Sequence, residues 1–199
     1  HIPAPVEGTT PRVLTRKKDI EQVHICLAFP GVEQDDEDLY PISVMNNLFG
    51  GGMSSRLFQR IREEMGAAYS VYSFPSTYTN CGTFTVYAGT SPETAQQVAD
   101  ELLRQIRLLR DGGVTQEEFD MAKEQLKVSY VLGLESSSAR MSAIGRSKLL
   151  RGHAVDPQDV IRKIEAVTKE DVERVAHRMF GRPFSASAVG RNIDGLKLL

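Results

Sequence analysis

The sequence contains no tryptophan and only two cysteines in 199 residues. Two cysteines cannot build a disulfide framework, and Cys26 and Cys81 both lie in apolar, strand-like stretches, so we interpret each as a core thiol. A chain that relies on no disulfide network is typical of a reducing compartment. We therefore expect a cytoplasmic protein.

The sequence also lacks a long apolar run and a strong excess of either charge. No stretch approaches the roughly 18 apolar residues of a membrane-spanning helix, and the net charge at pH 7 is −2. A nearly balanced charge argues against a general nucleic-acid or membrane-surface role. We therefore expect neither nucleic acid nor membrane among the partners.

The first eleven residues differ from the rest of the chain. Residues 1–11 are rich in proline and follow neither the helical nor the strand period, so we interpret them as a linker. Because position 1 is not methionine, we expect a fragment of a longer protein or a processed chain. We assign residues 12–191 to a single domain and residues 192–199 to a polar tail.

Alternating apolar and polar residues predict five strands, at residues 12–16, 22–29, 69–77, 82–88 and 184–189. Thr79-Asn80 is the expected turn of a hairpin between the third and fourth strands. Because a hairpin joins antiparallel strands, the sheet cannot be purely parallel.

Capping residues and helical spacing predict the helices. The acidic stretch Asp35 to Asp38 is expected to open a helix that ends near Phe49, since carboxylates suit a helix N-terminus. Ser91-Pro92-Glu93 is expected to start another helix. Further starts are predicted at Thr115, Ser136, Asp156 and Thr168. Strands and helices together favour an α+β fold, a two-layer domain with a largely antiparallel or mixed sheet and helices packed on one face.

A glycine loop opens the stretch around which the chain is organised. Gly50, Gly51 and Gly52 are expected to end one helix, and Ser54 or Ser55 to cap the next. A phosphate-binding loop is excluded because G-x-x-x-x-G-K-[ST] is absent. We interpret the glycines as a tight connection between helices.

The helix after this loop leads directly into a strand. Apolar residues recur at helical spacing, and Gly66 suits a left-handed helix end. Arg62 lies near this end and Tyr69 at the start of the strand, where alternation puts it on the side of Val71 and Ser73. A reversal of this kind can bring a guanidinium and a phenol to the same end of a sheet.

The run Gly-Gly-Met-Ser-Ser-Arg-Leu-Phe, followed by Arg-Glu-Glu-Met-Gly-Ala-Ala-Tyr, closely resembles the second-domain signature of the pitrilysin/insulinase-like zinc peptidases, which include the mitochondrial processing peptidases. In that family an Arg and a Tyr seven residues apart reach from the non-zinc domain across a closed clamshell to the substrate. Arg62 and Tyr69 match both residue types and the spacing. Ala67 departs from the pattern, because a larger apolar residue is usual there, and this affects packing more than chemistry. The resemblance extends from about Val23 to Gly190.

The resemblance implies the C-terminal, substrate-binding half of a zinc endopeptidase. The missing N-terminal half would carry the zinc, and an extended peptide would bind between the two halves. Arg62 and Tyr69 would bind substrate or stabilise the transition state, and the loop of Gly50, Gly51 and Gly52 is a possible substrate loop. A homodimer is the expected assembly.

The metal motif of this family, H-x-x-E-H, is absent from the sequence. The four histidines (His1, His24, His153 and His177) are isolated, and none has a His or Glu partner at helical ligand spacing. We therefore predict no metal ligand and no general base on this chain. The chain alone should be inactive, and zinc is expected only in the full-length protein.

Three alternatives remain open at the level of sequence. The chain could be a structural subunit of the same superfamily, although the Arg62–Tyr69 pair disfavours a purely structural role. It could be the non-catalytic partner of a two-chain peptidase. It could also be an unrelated module that binds an extended peptide at its sheet edge.

Overall fold

A computed structural model describes residues 10–199, and the linker predicted at residues 1–11 lies largely outside these. Five strands form one sheet: β1 (Val13–Lys17), β2 (Val23–Pro30), β3 (Ala68–Thr77), β4 (Gly82–Thr90) and β5 (Ser185–Gly190). Their order is β1-β5-β2-β4-β3. β1 and β5 are parallel and the other pairs antiparallel, so the predicted mixed sheet is confirmed.

Six α-helices and one π-helix complete the described part of the chain. They are α1 (Leu39–Gly50), the π-helix (Phe58–Glu64), α2 (Ala95–Arg110), α3 (Gln116–Gly133), α4 (Ser137–Arg151), α5 (Pro157–Ala166) and α6 (Lys169–Phe180). Within residues 10–199, none of the helices has the length and apolar character to cross a membrane.

The helices cover one face of the sheet, as predicted. In β2 every second side chain is fully buried: Val23, Ile25, Leu27 and Phe29. α6 packs against this face, where the rings of Phe29 and Phe180 lie 4.9 Å apart, edge to face. The alternate residues of β2 are only half-buried. The sheet therefore has one face in the core and one open face among the described residues.

The predicted helix starts at Thr115 and Thr168 are confirmed, and each forms a capping box. The Thr115 side chain accepts a hydrogen bond from the Glu118 backbone while the Glu118 carboxylate accepts one from the Thr115 backbone, and Thr168 and Asp171 repeat the arrangement. Each box satisfies two N–H groups that have no partner inside the helix. Ser136 and Asp156 cap α4 and α5, also as predicted.

As predicted, α1 begins directly after the acidic stretch, at Leu39 with Asp38 at the N-cap position, although no side-chain cap hydrogen bond forms. The Asp38 carboxylate is only 1% exposed and binds two guanidinium groups instead. Its oxygens lie 2.7 Å from Arg174 Nη2 and 2.6 Å from Arg178 Nη2, both on α6. Asp38 therefore joins the start of α1 to α6.

The predicted start of α2 at Ser91-Pro92-Glu93 is wrong, since α2 begins at Ala95, after Thr94. Ser91 to Thr94 form a turn in which the Thr94 N–H donates to the Ser91 carbonyl at 3.3 Å. The Thr94 hydroxyl also hydrogen-bonds the carbonyl of Ala67 at 3.1 Å. These bonds hold the backbone in a turn ahead of the helix.

Two further expectations differ from the structure. Cys26 lies on the open face of β2 and Cys81 in the hairpin loop, and both are half-buried, so neither thiol belongs to the hydrophobic core. The segment assigned as a tail packs on the domain: Ile193 and Leu198 are buried, and the Lys197 N–H donates to Gln96 Oε1 at 2.9 Å. The burial of these two apolar side chains holds the segment against the domain, so it is not a free polar tail.

Candidate functional site

The helix that carries Arg62 is a π-helix, and neither serine caps it as predicted. Ser55 Oγ donates to the Gly52 carbonyl at 2.5 Å, and Ser54 Oγ hydrogen-bonds Gln125. The Met65 N–H reaches the Arg60 carbonyl, five residues back, at 3.2 Å. Leucine and isoleucine spacing in the sequence fits an α-helix equally well, so the sequence could not reveal the wider turn. Short π-helical segments occur frequently at functional sites.

Among the three arginines of this segment, Arg62 is the one left without an acidic partner in the described chain. Arg56 binds Glu118, and Arg60 binds Glu64 and Glu101. The Arg62 side chain is exposed, and its guanidinium carbon lies 5.1 Å from the centre of the Phe58 ring. No hydrogen bond or ion pair to Arg62 forms within residues 10–199. Its guanidinium donors are therefore free to bind an external group.

The carboxylate of Glu101, in contrast to Arg62, accepts hydrogen bonds from several side chains. Hydrogen bonds from Arg104, Gln105 and Arg60 act against its burial and lower the pKa of Glu101 to about 2. This cluster anchors the π-helix to α2. Arg60 is thus structural, whereas Arg62, two residues further, is not held by any such cluster in the described residues.

A short connector holds the end of the π-helix beside the start of β3. Gly66 has a φ of +59°, a left-handed conformation that suits glycine. The Ala67 N–H donates to the Ile61 carbonyl at 3.0 Å, so the residue before Arg62 lies against the connector. The Ala67 carbonyl accepts from the hydroxyls of Thr90 at 2.5 Å and Thr94 at 3.1 Å. Every backbone polar group of Ala67 is therefore engaged, and the turn is fixed.

Tyr69 occupies a β-bulge at the start of β3. Ala68 pairs with Thr90 and Ser70 with Gly89, so Tyr69 is the extra residue between them. The predicted alternation would have placed Tyr69 on the buried side with Val71 and Ser73. The bulge changes this, and the Tyr69 side chain is 60% exposed, with no hydrogen bond within the described chain. Bulges beside active sites commonly re-aim a side chain in this way.

An aromatic surface lies on the open face of the sheet, on the strands β2, β3 and β4. The rings of Tyr72 and Tyr87 lie 4.8 Å apart, and the Tyr87 hydroxyl is 2.7 Å from Nδ1 of His24. Burial raises the pKa of the Tyr87 hydroxyl. Sequence reasoning missed this group, although the alternation of Ser70, Tyr72 and Phe74 contained its signal. Aromatic faces of this kind can receive apolar side chains.

The glycine loop divides into two parts. Gly50 is buried where α1 meets β3, and a Cβ added there would lie 2.5 Å from the backbone nitrogen of Ser73. Only glycine allows this close approach. Gly51 and Gly52 are exposed. The role of this loop in binding substrate stays a prediction.

The histidines of residues 10–199 are far from forming a metal centre. His24 bonds Tyr87, while the Nδ1 atom of His177 lies 3.3 Å from the Arg110 carbonyl. In the described part of the chain, no three His, Cys, Asp or Glu residues are grouped so that they could hold a metal ion. Chemically, the site provides hydrogen-bond donors, a positive charge and an aromatic surface.

Replacing Thr90 by valine is expected to loosen the connector. The Thr90 hydroxyl is fully buried, and its loss leaves the Ala67 carbonyl with the longer bond to Thr94 alone. We expect a loss of about 1–3 kcal/mol in the free energy of unfolding and faster amide hydrogen exchange at residues 67–70. Thr90→Ser keeps the hydroxyl and is the control. Equal acceleration in both variants would show that the methyl group, not the hydroxyl, holds the connector.

Comparison with known proteins identifies related sequences. Residues 1–126 match the family model described as the peptidase M16 inactive domain. The chain is 40% identical over 176 residues to the uncharacterised zinc protease YmxG of Bacillus subtilis, a match that covers 88% of this chain and 43% of that protein. It is 42% identical over 170 residues to an uncharacterised zinc protease of Streptomyces coelicolor, covering 85% of this chain and 37% of that protein. The chain thus spans less than half the length of these curated relatives.

The fold also matches a solved structure, the peptidase M16 inactive domain from Pseudomonas fluorescens. The TM-score is 0.82 at 23% sequence identity, over 94% of this chain and 46% of that one. At this identity the match speaks to the fold alone, and it agrees with the predicted α+β class.

Proposed function

Because the chain belongs to the peptidase M16 family, in which it matches the inactive domain, we propose that it is the substrate-binding half of a zinc-dependent endopeptidase. In this proposal an extended peptide lies between this half and a second, zinc-bearing half. The observation that carries the proposal is the pair formed by Arg62 and Tyr69. Both side chains are exposed, and neither forms a hydrogen bond or an ion pair with another described residue.

The chemistry of peptide hydrolysis explains why such donors are useful. Negative charge develops on the carbonyl oxygen as water attacks the peptide bond. A phenol or guanidinium aimed at that oxygen stabilises the transition state more than the ground state. Alternatively, the donors bind the peptide backbone beside the scissile bond and hold it in a reactive position. Arg62 suits either role, because its guanidinium is always charged and presents a planar fork of donors.

The remaining parts of the reaction belong to the other half. Zinc, when bound there, lowers the pKa of a water molecule and polarises the carbonyl group. The relatives named zinc proteases are more than twice as long as the region they share with this chain, which leaves room for that half on the same polypeptide. We include in the proposal a cytoplasmic location and a homodimeric assembly. The free Cys26 and Cys81 support a reducing compartment.

The native polypeptide provides the test of this proposal. We expect a mass about double that of this chain, in line with two ordinary domains, and one zinc ion per polypeptide by elemental analysis. A chelator should abolish cleavage of an unstructured peptide, and added zinc should restore it, because the metal supplies the activated water. A native chain of the present size without metal, or cleavage that resists chelation, would contradict the proposal.

A further inference from the structure

Helix α4 stands apart from the rest of the fold. Of its fifteen residues, only Ser147 is buried, and the helix makes only marginal contact with the other described elements. Met141 is 68% exposed and Leu149 is 86% exposed. A helix normally turns its apolar side chains toward a core. α4 turns these two away from the domain.

One exposed row of residues on α4 has a definite shape. Met141, Gly145 and Leu149 are four residues apart in turn, so they form one continuous ridge, here called the α4 ridge. Gly145 is a notch between two large apolar side chains, and a Cβ added there would meet nothing within 4 Å. Glycine weakens a helix interior relative to alanine, and nothing in the described residues requires it. The notch is therefore suited to close approach by another polypeptide.

The charges of α4 indicate what kind of surface this polypeptide has. The helix contains four basic residues and no acidic one: Arg140, Arg146, Lys148 and Arg151. Arg151 binds Asp35, but Arg140 and Arg146 have no acidic partner in the described chain. A partner complementary to α4 would present an apolar strip bordered by carboxylates.

We propose that the α4 ridge packs against the zinc-bearing half of the same polypeptide, so that α4 is the main contact between the two halves. The inference rests on the proposed function, because that half is part of it. The curated relatives extend well beyond the region shared with this chain, which covers 43% and 37% of two of them. Met141 and Leu149 are the most exposed large apolar side chains of α4, and covering them would remove apolar surface from water. In the proposed function the other half belongs to the same polypeptide and can cover them.

Cysteine labelling of the full-length protein tests the proposal. Leu149→Cys places a thiol on the α4 ridge, and Ala139→Cys places one at an exposed position of the same helix outside the ridge. Peptide-resolved mass spectrometry separates both from Cys26 and Cys81. In a folded full-length protein, we expect a maleimide to modify the thiol at position 149 at least tenfold more slowly than the thiol at position 139. Met141→Cys is a second ridge variant, in case Leu149→Cys impairs folding.

A short crosslinker from the thiol of the Leu149→Cys variant to lysine then identifies the occupant. A product of monomer mass, linked to a peptide outside residues 10–199, supports the proposal. A covalent dimer would assign the ridge to a second copy, and equal labelling at positions 149 and 139 would show an open ridge; either result overturns it. Because labelling needs no catalysis, the two proposals fail separately: an inactive protein with a covered ridge overturns only the proposed function, and an active zinc enzyme with an open ridge overturns only this inference.

Discussion

Arg62→Ala in the full-length protein is expected to lower kcat/KM for peptide cleavage by about a hundredfold to a thousandfold, the usual loss when one transition-state donor is removed. The Arg62 guanidinium has no acidic partner within the described chain, so its removal breaks no structural ion pair. Zinc content and thermal stability should therefore stay unchanged. Arg62→Lys should not restore activity, because an ammonium group lacks the planar fork of donors.

Tyr69→Phe isolates the phenol hydroxyl in the same way. The matched control is Tyr72→Phe, which removes a hydroxyl from another exposed tyrosine of β3 that lies outside the bulge. We expect a large fall in kcat/KM for Tyr69→Phe and a small change for Tyr72→Phe. Steady-state kinetics with metal analysis of each variant provides the measurement. Wild-type rates in both Arg62→Ala and Tyr69→Phe would remove the catalytic role from this pair.

The second large effect concerns stability and the buried carboxylate of Asp38. Removing both of its partners, as Arg174→Ala with Arg178→Ala, leaves an unpaired charge in the interior. We expect a loss of about 3–5 kcal/mol in the free energy of unfolding, measured by urea denaturation. Hydrogen bonding to Asp38 raises the pKa of Arg174, so its guanidinium is charged in the native protein.

Asp38→Asn in the double-variant background separates charge from shape. The amide has nearly the same volume but no charge, so it should recover part of the lost stability. If Asp38→Asn destabilises this background further, the cost of the arginine substitutions comes from lost packing on α6 and not from the uncompensated carboxylate.

Local patterns in the sequence predicted much of this fold. Alternation identified the five strands, and the boxes at Thr115 and Thr168 fixed two helix starts, because capping depends on residues only three positions apart. The family resemblance, drawn from the run between Gly51 and Tyr69, is also confirmed. Each of these features depends on residues that lie close together in the sequence, so the sequence alone could reveal it.

The features that shape the candidate site depend on distant parts of the chain. The bulge at Tyr69 exists only in relation to Thr90 and Gly89 on β4, so no count along β3 could reveal it. Asp38 suggested a helix start, but its partner Arg174 is 136 residues away. Local sequence patterns predicted the strands and helices. Contacts between distant parts of the chain determine which of their side chains are exposed at the candidate site.

The order of strands at one edge of the sheet constrains how this domain folds. β5, at the end of the domain, lies between β1 and β2, at its beginning. Until Ser185–Gly190 has left the ribosome, β1 has no partner and β2 has an unpaired edge of backbone N–H and C=O groups. The sheet is therefore completed late in synthesis, by contacts of long sequence separation that form slowly. During that interval the exposed edge of β2 is open to chaperones and to mispairing with neighbouring chains.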